Sequence, residues 1–131
     1  MKIFLDTADC EQIQKHYASG LIDGITTNPT LIRKSGRIPE DVYQELKSIG
    51  LTDISMEVVG SGDDMISEGY RLNDLFGDVA TIKVPCTPEG LGACKTLSGA
   101  NIKVNVTLIF SQVQAILAAK AGATYVSPFV G

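Results

Sequence analysis

The sequence predicts an α/β fold of the (β/α)8-barrel type, and three observations carry that expectation. Six short β-rich runs alternate with stretches of helical period, the strands divide by parity into one polar and one apolar face, and the polar faces end in functional groups at near-regular intervals. Alternating strands and helices make a parallel sheet, either open and doubly wound or closed as a barrel. An open sheet covered by helices on both sides is apolar on both faces. A barrel whose outer face meets helices and whose inner face turns polar towards its carboxyl end fits these strands better.

The elements follow in order. The first strand lies in "KIFLD", residues 2–6, where Asp6 opposes Ile3 and Leu5; the second is "DGITTN", 23–28. Between the second and third strands, "RKSGRIPED" at 33–41 is expected to be a loop, with Arg33 and Lys34 as loop charges and at most a weak phosphate role for Arg33. The third strand, "DISMEV", sets Asp53, Ser55 and Glu57 against Ile54, Met56 and Val58. In the helix expected over 61–77, Met65, Ile66, Leu72, Leu75 and Phe76 form an apolar face, Asp63, Asp64, Glu68 and Asp74 a solvated one, and Gly77 a C-terminal cap.

The fourth strand, "VATIKV" at 79–84, places Lys83 and Thr81 opposite Ala80, Ile82 and Val84. Thr87-Pro88-Glu89 then offers an N-cap followed by proline at the first helical position. The fifth strand, "NIKVNV", continues to Thr107 and divides Lys103, Asn105 and Thr107 from Ile102, Val104 and Val106. Ser111 to Gln114 has capping-box spacing ahead of an apolar helical set of Val113, Ile116 and Leu117, with Gly122 as its C-terminal cap. "TYVSP" at 124–128 is the sixth strand. Residues 1–131 are expected to form a single partial barrel domain, because eight units at this spacing need roughly 200 residues, the low end for such barrels.

Composition narrows the function classes. With 44% hydrophobic and 20% charged residues the chain reads as an ordinary globular protein, and a net charge of −4 gives no basic surplus for a nucleic-acid backbone or an anionic membrane. No apolar run approaches the roughly 20 residues of a membrane span, and "MKIFLDTADC" reaches acid too soon for a signal peptide, so a cytoplasmic location is expected. Cys10, Cys86 and Cys94 form no C-x-x-C pair and read as reduced; Cys86 is a small partly buried residue near Lys83. His16 stands mid-helix without metal-ligand neighbours, no cluster has zinc spacing, and "GSG" at 60–62 makes no dinucleotide fingerprint. No metal and no cofactor is expected.

Asp6, Asn28, Glu57, Lys83, Asn105 and Ser127 form a set, each near the carboxyl end of its strand and successively 22 to 29 residues apart, about one βα unit. In a barrel those ends converge on one mouth, where the functional groups of this fold collect. Lys83 is the unusual member, because burying an unpaired ammonium is unfavourable by several kcal/mol or more. Roughly one free lysine in 2,500 is neutral at pH 7, and only the neutral amine attacks a carbonyl. A lysine ringed by Asp6, Asn28, Glu57, Asn105 and Thr107 is therefore a candidate Schiff-base nucleophile. Glu57 or Asp6 could carry protons, with Thr107 holding a water between them.

"FLDTAD" at 4–9, "GITTNPTLI" at 24–32, "IKVP" at 82–85, "NVTLIFSQVQA" at 105–115 and "GATYVSPFVG" at 122–131 resemble the transaldolase family over essentially the whole chain, and its short subgroup, which includes fructose-6-phosphate aldolase. The resemblance implies a class I aldolase-type barrel, with about six of its eight strands in these residues. It implies cofactor-free transfer of a dihydroxyacetone unit from a ketose phosphate, fructose 6-phosphate or sedoheptulose 7-phosphate, to an aldose phosphate, as in the pentose phosphate pathway. Lys83 matches the Schiff-base lysine, Asp6 the strand-one acid/base, Glu57 the glutamate that activates water and Thr107 the threonine that helps to hold it. Thr26, Asn28, Asn105, Ser127 and Phe129 match the substrate pocket.

The aldolase members are similar but carry glutamine in place of Glu57 and tyrosine in place of Phe129, so transfer is favoured over simple aldol cleavage. The family continues with an arginine directly after the residue matching Gly131 and then two further βα units, and its short subgroup forms ring-like homo-oligomers. A fructose-6-phosphate-type aldolase and a barrel segment acting only as an oligomerisation unit remain as alternatives.

Overall fold

The computed structural model describes residues 1–130. Strand and helix alternate as β1 (Phe4–Asp6), α1 (Cys10–Tyr17), β2 (Gly24–Thr26), α2 (Pro29–Lys34), α3 (Pro39–Ile49), β3 (Asp53–Glu57), α4 (Gly62–Phe76), β4 (Ala80–Pro85), α5 (Pro88–Gly99), β5 (Lys103–Ile109), α6 (Gln112–Ala121) and β6 (Tyr125–Pro128). All six strands pair in parallel and in sequence order, β1-β2-β3-β4-β5-β6. The sheet curls into a half-barrel. Across its concave face the Phe4 ring meets Tyr125 edge-on at 5.5 Å, and the Lys2 ammonium donates to the Tyr125 hydroxyl at 3.1 Å. Gly24 permits that closure, since a Cβ there would overlap both the Phe4 ring and the Asp53 carbonyl.

Parity assigns the two faces as expected. Ile54, Met56, Ala80, Ile82, Val84, Val104 and Val106 are buried outward, in one core with helix residues such as Ile13, Leu46, Met65, Leu72 and Leu97. Each fully buried aliphatic side chain contributes on the order of 1.5–3 kcal/mol. The inward set of Asp53, Ser55, Thr81, Lys83, Asn105 and Thr107 is also buried, but polar.

Capping explains where the helices begin. The Asp9 carboxylate accepts from Glu11 and Gln12, Asn28 from Leu31, Ser61 from Asp64, Thr87 from Gly90 and Ser111 from Gln114. Gly77 and Gly122 cap α4 and α6 at their C-termini, both with positive φ.

Four expectations need correction. Residues 33–41 are not one loop: Arg33 and Lys34 form the last turn of α2, and Pro39 starts α3 with its φ preset for a helix. Gln114 turns its side-chain oxygen to the Phe110 N–H at 2.7 Å, one residue before the cap, so the box at Ser111 closes differently. Leu75 is exposed, because the buried stripe of α4 runs through Met65, Gly69, Leu72 and Phe76. Val113, Ile116 and Leu117 are exposed as well; α6 packs its Ala118 side inward, and no other described element lies over its apolar face.

Candidate active site

The carboxyl ends of β3 and β4 bring two of the predicted groups into contact. Glu57 and Lys83 are direct neighbours in the β3–β4 ladder, and Nζ lies 3.2 Å from the Glu57 Oε2. Nζ also donates to the main-chain carbonyl of Thr27 at 3.1 Å. The lysine side chain is 9% exposed and the glutamate 21%, so the pair is desolvated on the lysine side and open on the other. The opening is a cavity of about 370 Å³ lined by Asn28, Pro29, Leu31, Glu57, Lys83, Thr107, Leu108 and Phe129.

Local structure fixes each wall. Asn28 is the N-cap of α2, its Oδ1 accepting from Leu31 at 2.9 Å, which holds the amide at the end of β2. Thr107 sits just before a bulge, where Val106 pairs with Val126 but Ile109 with Pro128, three residues of β5 against two of β6. The extra residue is Leu108, with φ of 60°, a left-handed conformation that costs an L-residue roughly 1–2 kcal/mol. The bulge reverses the alternation: Thr107 and Leu108 both face the mouth, and Ile109 returns to the outer core. The Phe129 ring lies tilted against Phe110, with ring centroids 5.1 Å apart.

The remaining predicted residues form a second, deeper group. Ser127 donates to Asn105 Oδ1 at 2.8 Å, and Asn105 Nδ2 donates to the Ser55 hydroxyl at 3.2 Å. With Thr26, Phe4 and Tyr125 they line a cavity of about 210 Å³ inside the half-barrel. Asp6 is exposed and accepts from the Thr26 hydroxyl at 2.8 Å, so it is tied to this group and not to Lys83. The expectation that one ring of side chains surrounds Lys83 is thus refined: Glu57, Asn28, Thr107 and Phe129 share its cavity, Asn105 is its direct neighbour in the β4–β5 ladder but engages its amide with Ser55 and Ser127, and Asp6, Thr26 and Ser127 line up farther along β1, β2 and β6.

Below both groups, at the amino ends of the strands, lies an arrangement that sequence reading did not single out. Asp53, with its side chain 2% exposed, accepts from Thr81 at 2.6 Å, Tyr125 at 2.8 Å and Lys103 at 3.3 Å, with Lys2 at 3.8 Å. Burial pushes the Tyr125 phenol up, the Lys2 bond opposes this, and Asp53 adds to it. Parity had placed Asp53, Thr81 and Lys103 on one face, but only the ladder register shows that they meet. Thr27 was missed for a different reason: its contact is made by a carbonyl, which every residue has. Leu108 did leave a signal, since the polar alternation Lys103, Asn105, Thr107 breaks at Ile109.

Among the described residues no group of three or more His, Cys, Asp and Glu is placed to hold a metal ion. No described helix is long and apolar enough to cross a membrane. Cys86 is half-buried and packs on the core, and Arg33 is exposed on α2.

A parallel α/β half-barrel with a buried lysine and a glutamate at one strand-end mouth has the architecture of part of a β/α barrel. The solved structures that it matches agree on the fold: the carboxyl transferase domain of Rhizobium etli pyruvate carboxylase, with oxamate and biotin or with pyruvate, superposes at a TM-score of 0.60 and 12% identity, over 97% of this chain and 26–27% of that one. Sequence is more particular. The family model described as transaldolase/fructose-6-phosphate aldolase matches residues 3–131, and the chain belongs to that family. Its relatives include the probable transaldolases of Nitrosopumilus maritimus, 54% identical, and Geotalea daltonii, 56% identical, both aligned over all of this chain. The chain spans about three fifths of the length of these curated relatives.

Proposed function

We propose that the protein is a transaldolase that moves a dihydroxyacetone unit from a ketose phosphate, fructose 6-phosphate or sedoheptulose 7-phosphate, to an aldose phosphate through a Schiff base on Lys83. The observation that carries this reading is the Lys83 amine 3.2 Å from Glu57 at the wall of the 370 Å³ cavity. The neutral amine adds to the ketose C2 carbonyl, and the carbinolamine loses water to give an iminium. The C3–C4 bond then breaks, its electron pair entering the iminium to form an enamine, while the C4 hydroxyl proton passes to a carboxylate and the aldose phosphate leaves. Attack of the enamine on the acceptor aldehyde reverses these steps.

Glu57 is the proton carrier in contact with the amine, Thr107 holds the transferred water, and Asn28 and Phe129 bound the substrate in this cavity. Asp6, linked through Thr26, serves the C4 hydroxyl, and Asn105 and Ser127 receive the three-carbon end. Glutamate at 57 and phenylalanine at 129 favour transfer over simple aldol cleavage. The reading includes a single partial-barrel domain over residues 1–131, a cytoplasmic location consistent with sugar-phosphate metabolism, and a homo-oligomer. The exposed Val113, Ile116 and Leu117 support a second reading, a barrel segment that serves only as an oligomerisation unit.

Borohydride trapping with fructose 6-phosphate, followed by peptide mass spectrometry, tests the first reading. A reduced three-carbon adduct on Lys83 is the expected result. Release of free dihydroxyacetone without an acceptor would instead indicate the aldolase, and no adduct together with a native mass above the monomer would leave the assembly unit.

A further inference from the structure

Thr27 lies between the last residue of β2 and the N-cap of α2, is fully buried, and reaches Lys83 only through its carbonyl. The residue that carries that carbonyl is itself bonded to β3 twice. The Thr27 hydroxyl donates to the Ser55 carbonyl at 2.9 Å, while the Thr27 N–H reaches the same oxygen at 3.3 Å, so the hydroxyl makes the shorter of two bonds to one acceptor. β1 pairs with β2 only as far as Thr26, which leaves these two bonds to β3 as the sheet-like anchors of the residue. The Tyr43 phenol, pushed up to about 12 by burial, lies against the Thr27 side chain from the α3 side.

We propose that Thr27 is the positioning residue of Lys83, a role that rests on the Schiff-base reading. An ammonium has three N–H donors, whereas the neutral amine has two and a lone pair. The Thr27 carbonyl and the Glu57 carboxylate are both acceptors, at 3.1 and 3.2 Å from Nζ. Together they take the two N–H bonds of the neutral amine, and the lone pair is left to the cavity in which the ketose carbonyl must arrive. A carbonyl suits this task because, unlike a carboxylate, it neither gains nor loses a proton during the reaction. Release of the Thr27 hydroxyl from Ser55 lets the carbonyl turn, and the amine then samples orientations in which its lone pair faces protein.

The test compares Thr27→Val, which keeps the shape and loses the donor, with Thr27→Ser, which keeps the donor. The readout is the rate of borohydride-trapped adduct formation on Lys83 over a range of fructose 6-phosphate concentrations. Thr27→Val is expected to lower the saturating trapping rate about tenfold, the effect of one lost hydrogen bond, with little change in the half-saturating concentration, and Thr27→Ser to stay within about twofold of the parent. If Thr27→Val does not fold, Thr27→Cys supplies a weak donor of similar size and is expected to fall between the two. A Thr27→Val rate equal to the parent's, or equal slowing by Val and Ser, overturns the positioning role and leaves a packing one. A parent chain that forms no adduct overturns the Schiff-base reading itself, and this role with it.

Discussion

The two ends of the half-barrel interior use the same chemical groups to opposite ends. At the amino end Asp53 is buried and saturated, with donors from Thr81, Tyr125 and Lys103 and the Lys2 ammonium nearby. At the carboxyl end Lys83 has two protein acceptors and faces a cavity of about 370 Å³. A buried carboxylate that already accepts three hydrogen bonds has little left for a ligand, and its loss strands the buried Thr81 hydroxyl. An amine with partners on one side and open space on the other keeps a hydrogen or its lone pair free for a ligand. The presence of a lysine–carboxylate pair therefore says little by itself; its degree of saturation separates a brace from a reagent.

Several substitutions would sharpen or break this contrast. The largest effect is expected from Lys83→Met, which should abolish the borohydride adduct completely yet shift urea unfolding by less than about 1 kcal/mol, since Glu57 retains access to water. A large loss of stability would show that the mouth is a brace too. Asp53→Asn should do the reverse. An amide must turn its NH2 towards one of the donors that the carboxylate accepts from, the buried Thr81 hydroxyl or the Tyr125 phenol, so the unfolding free energy should drop by about 2 kcal/mol, while adduct formation persists in chains that remain folded below the transition. Loss of trapping in folded Asp53→Asn would couple the two ends and remove the distinction.

Smaller effects probe the edges of each region. Leu108→Asn places at φ of 60° a residue that tolerates the left-handed region and should raise stability by about 0.5 kcal/mol by calorimetry. A decrease would show that the Leu108 side chain anchors the bulge by packing. At the amino end, the Tyr125 phenol is raised mainly by burial, so the unfolded chain releases this proton first. Its contribution to stability is present below the ordinary tyrosine value near 10 and is lost as pH rises through the folded value. Tyr125→Phe should accordingly flatten the decline of stability with alkaline pH relative to the parent, at the cost of about 1 kcal/mol near neutrality from the lost bond to Asp53. An unchanged slope would mean that other groups set the alkaline limit.

Much of the site was legible before any coordinates because strand parity is a property of the covalent chain. Side chains two apart share a face, so Glu57 and Ser55, or Lys83 and Thr81, had to stand together on their strands whatever the sheet did. The caps at Thr87 and Ser111 were equally local, since each satisfies an amide three residues away. Some expectations failed locally, as at Pro39 and Gln114, where two short-range arrangements compete, and others failed where the answer depended on a partner distant in sequence. Val113, Ile116 and Leu117 have the pattern of a buried stripe, but pattern cannot say whether another element lies over it.

The sequence by itself determined the alternation of β and α and the polar inner and apolar outer faces, because these follow from residue type and spacing, and its motifs carried the resemblance to the family. Only the tertiary structure decided that Glu57 and not Asp6 touches Lys83, that Asp6 is linked to Thr26, that Asp53 gathers donors from three other strands and the N-terminal segment, and that a Thr27 carbonyl completes the setting of the amine. Those choices rest on ladder register, sheet curl and one bulge. A shift of a single residue in any of them would exchange neighbours across strands without changing a letter of the chain.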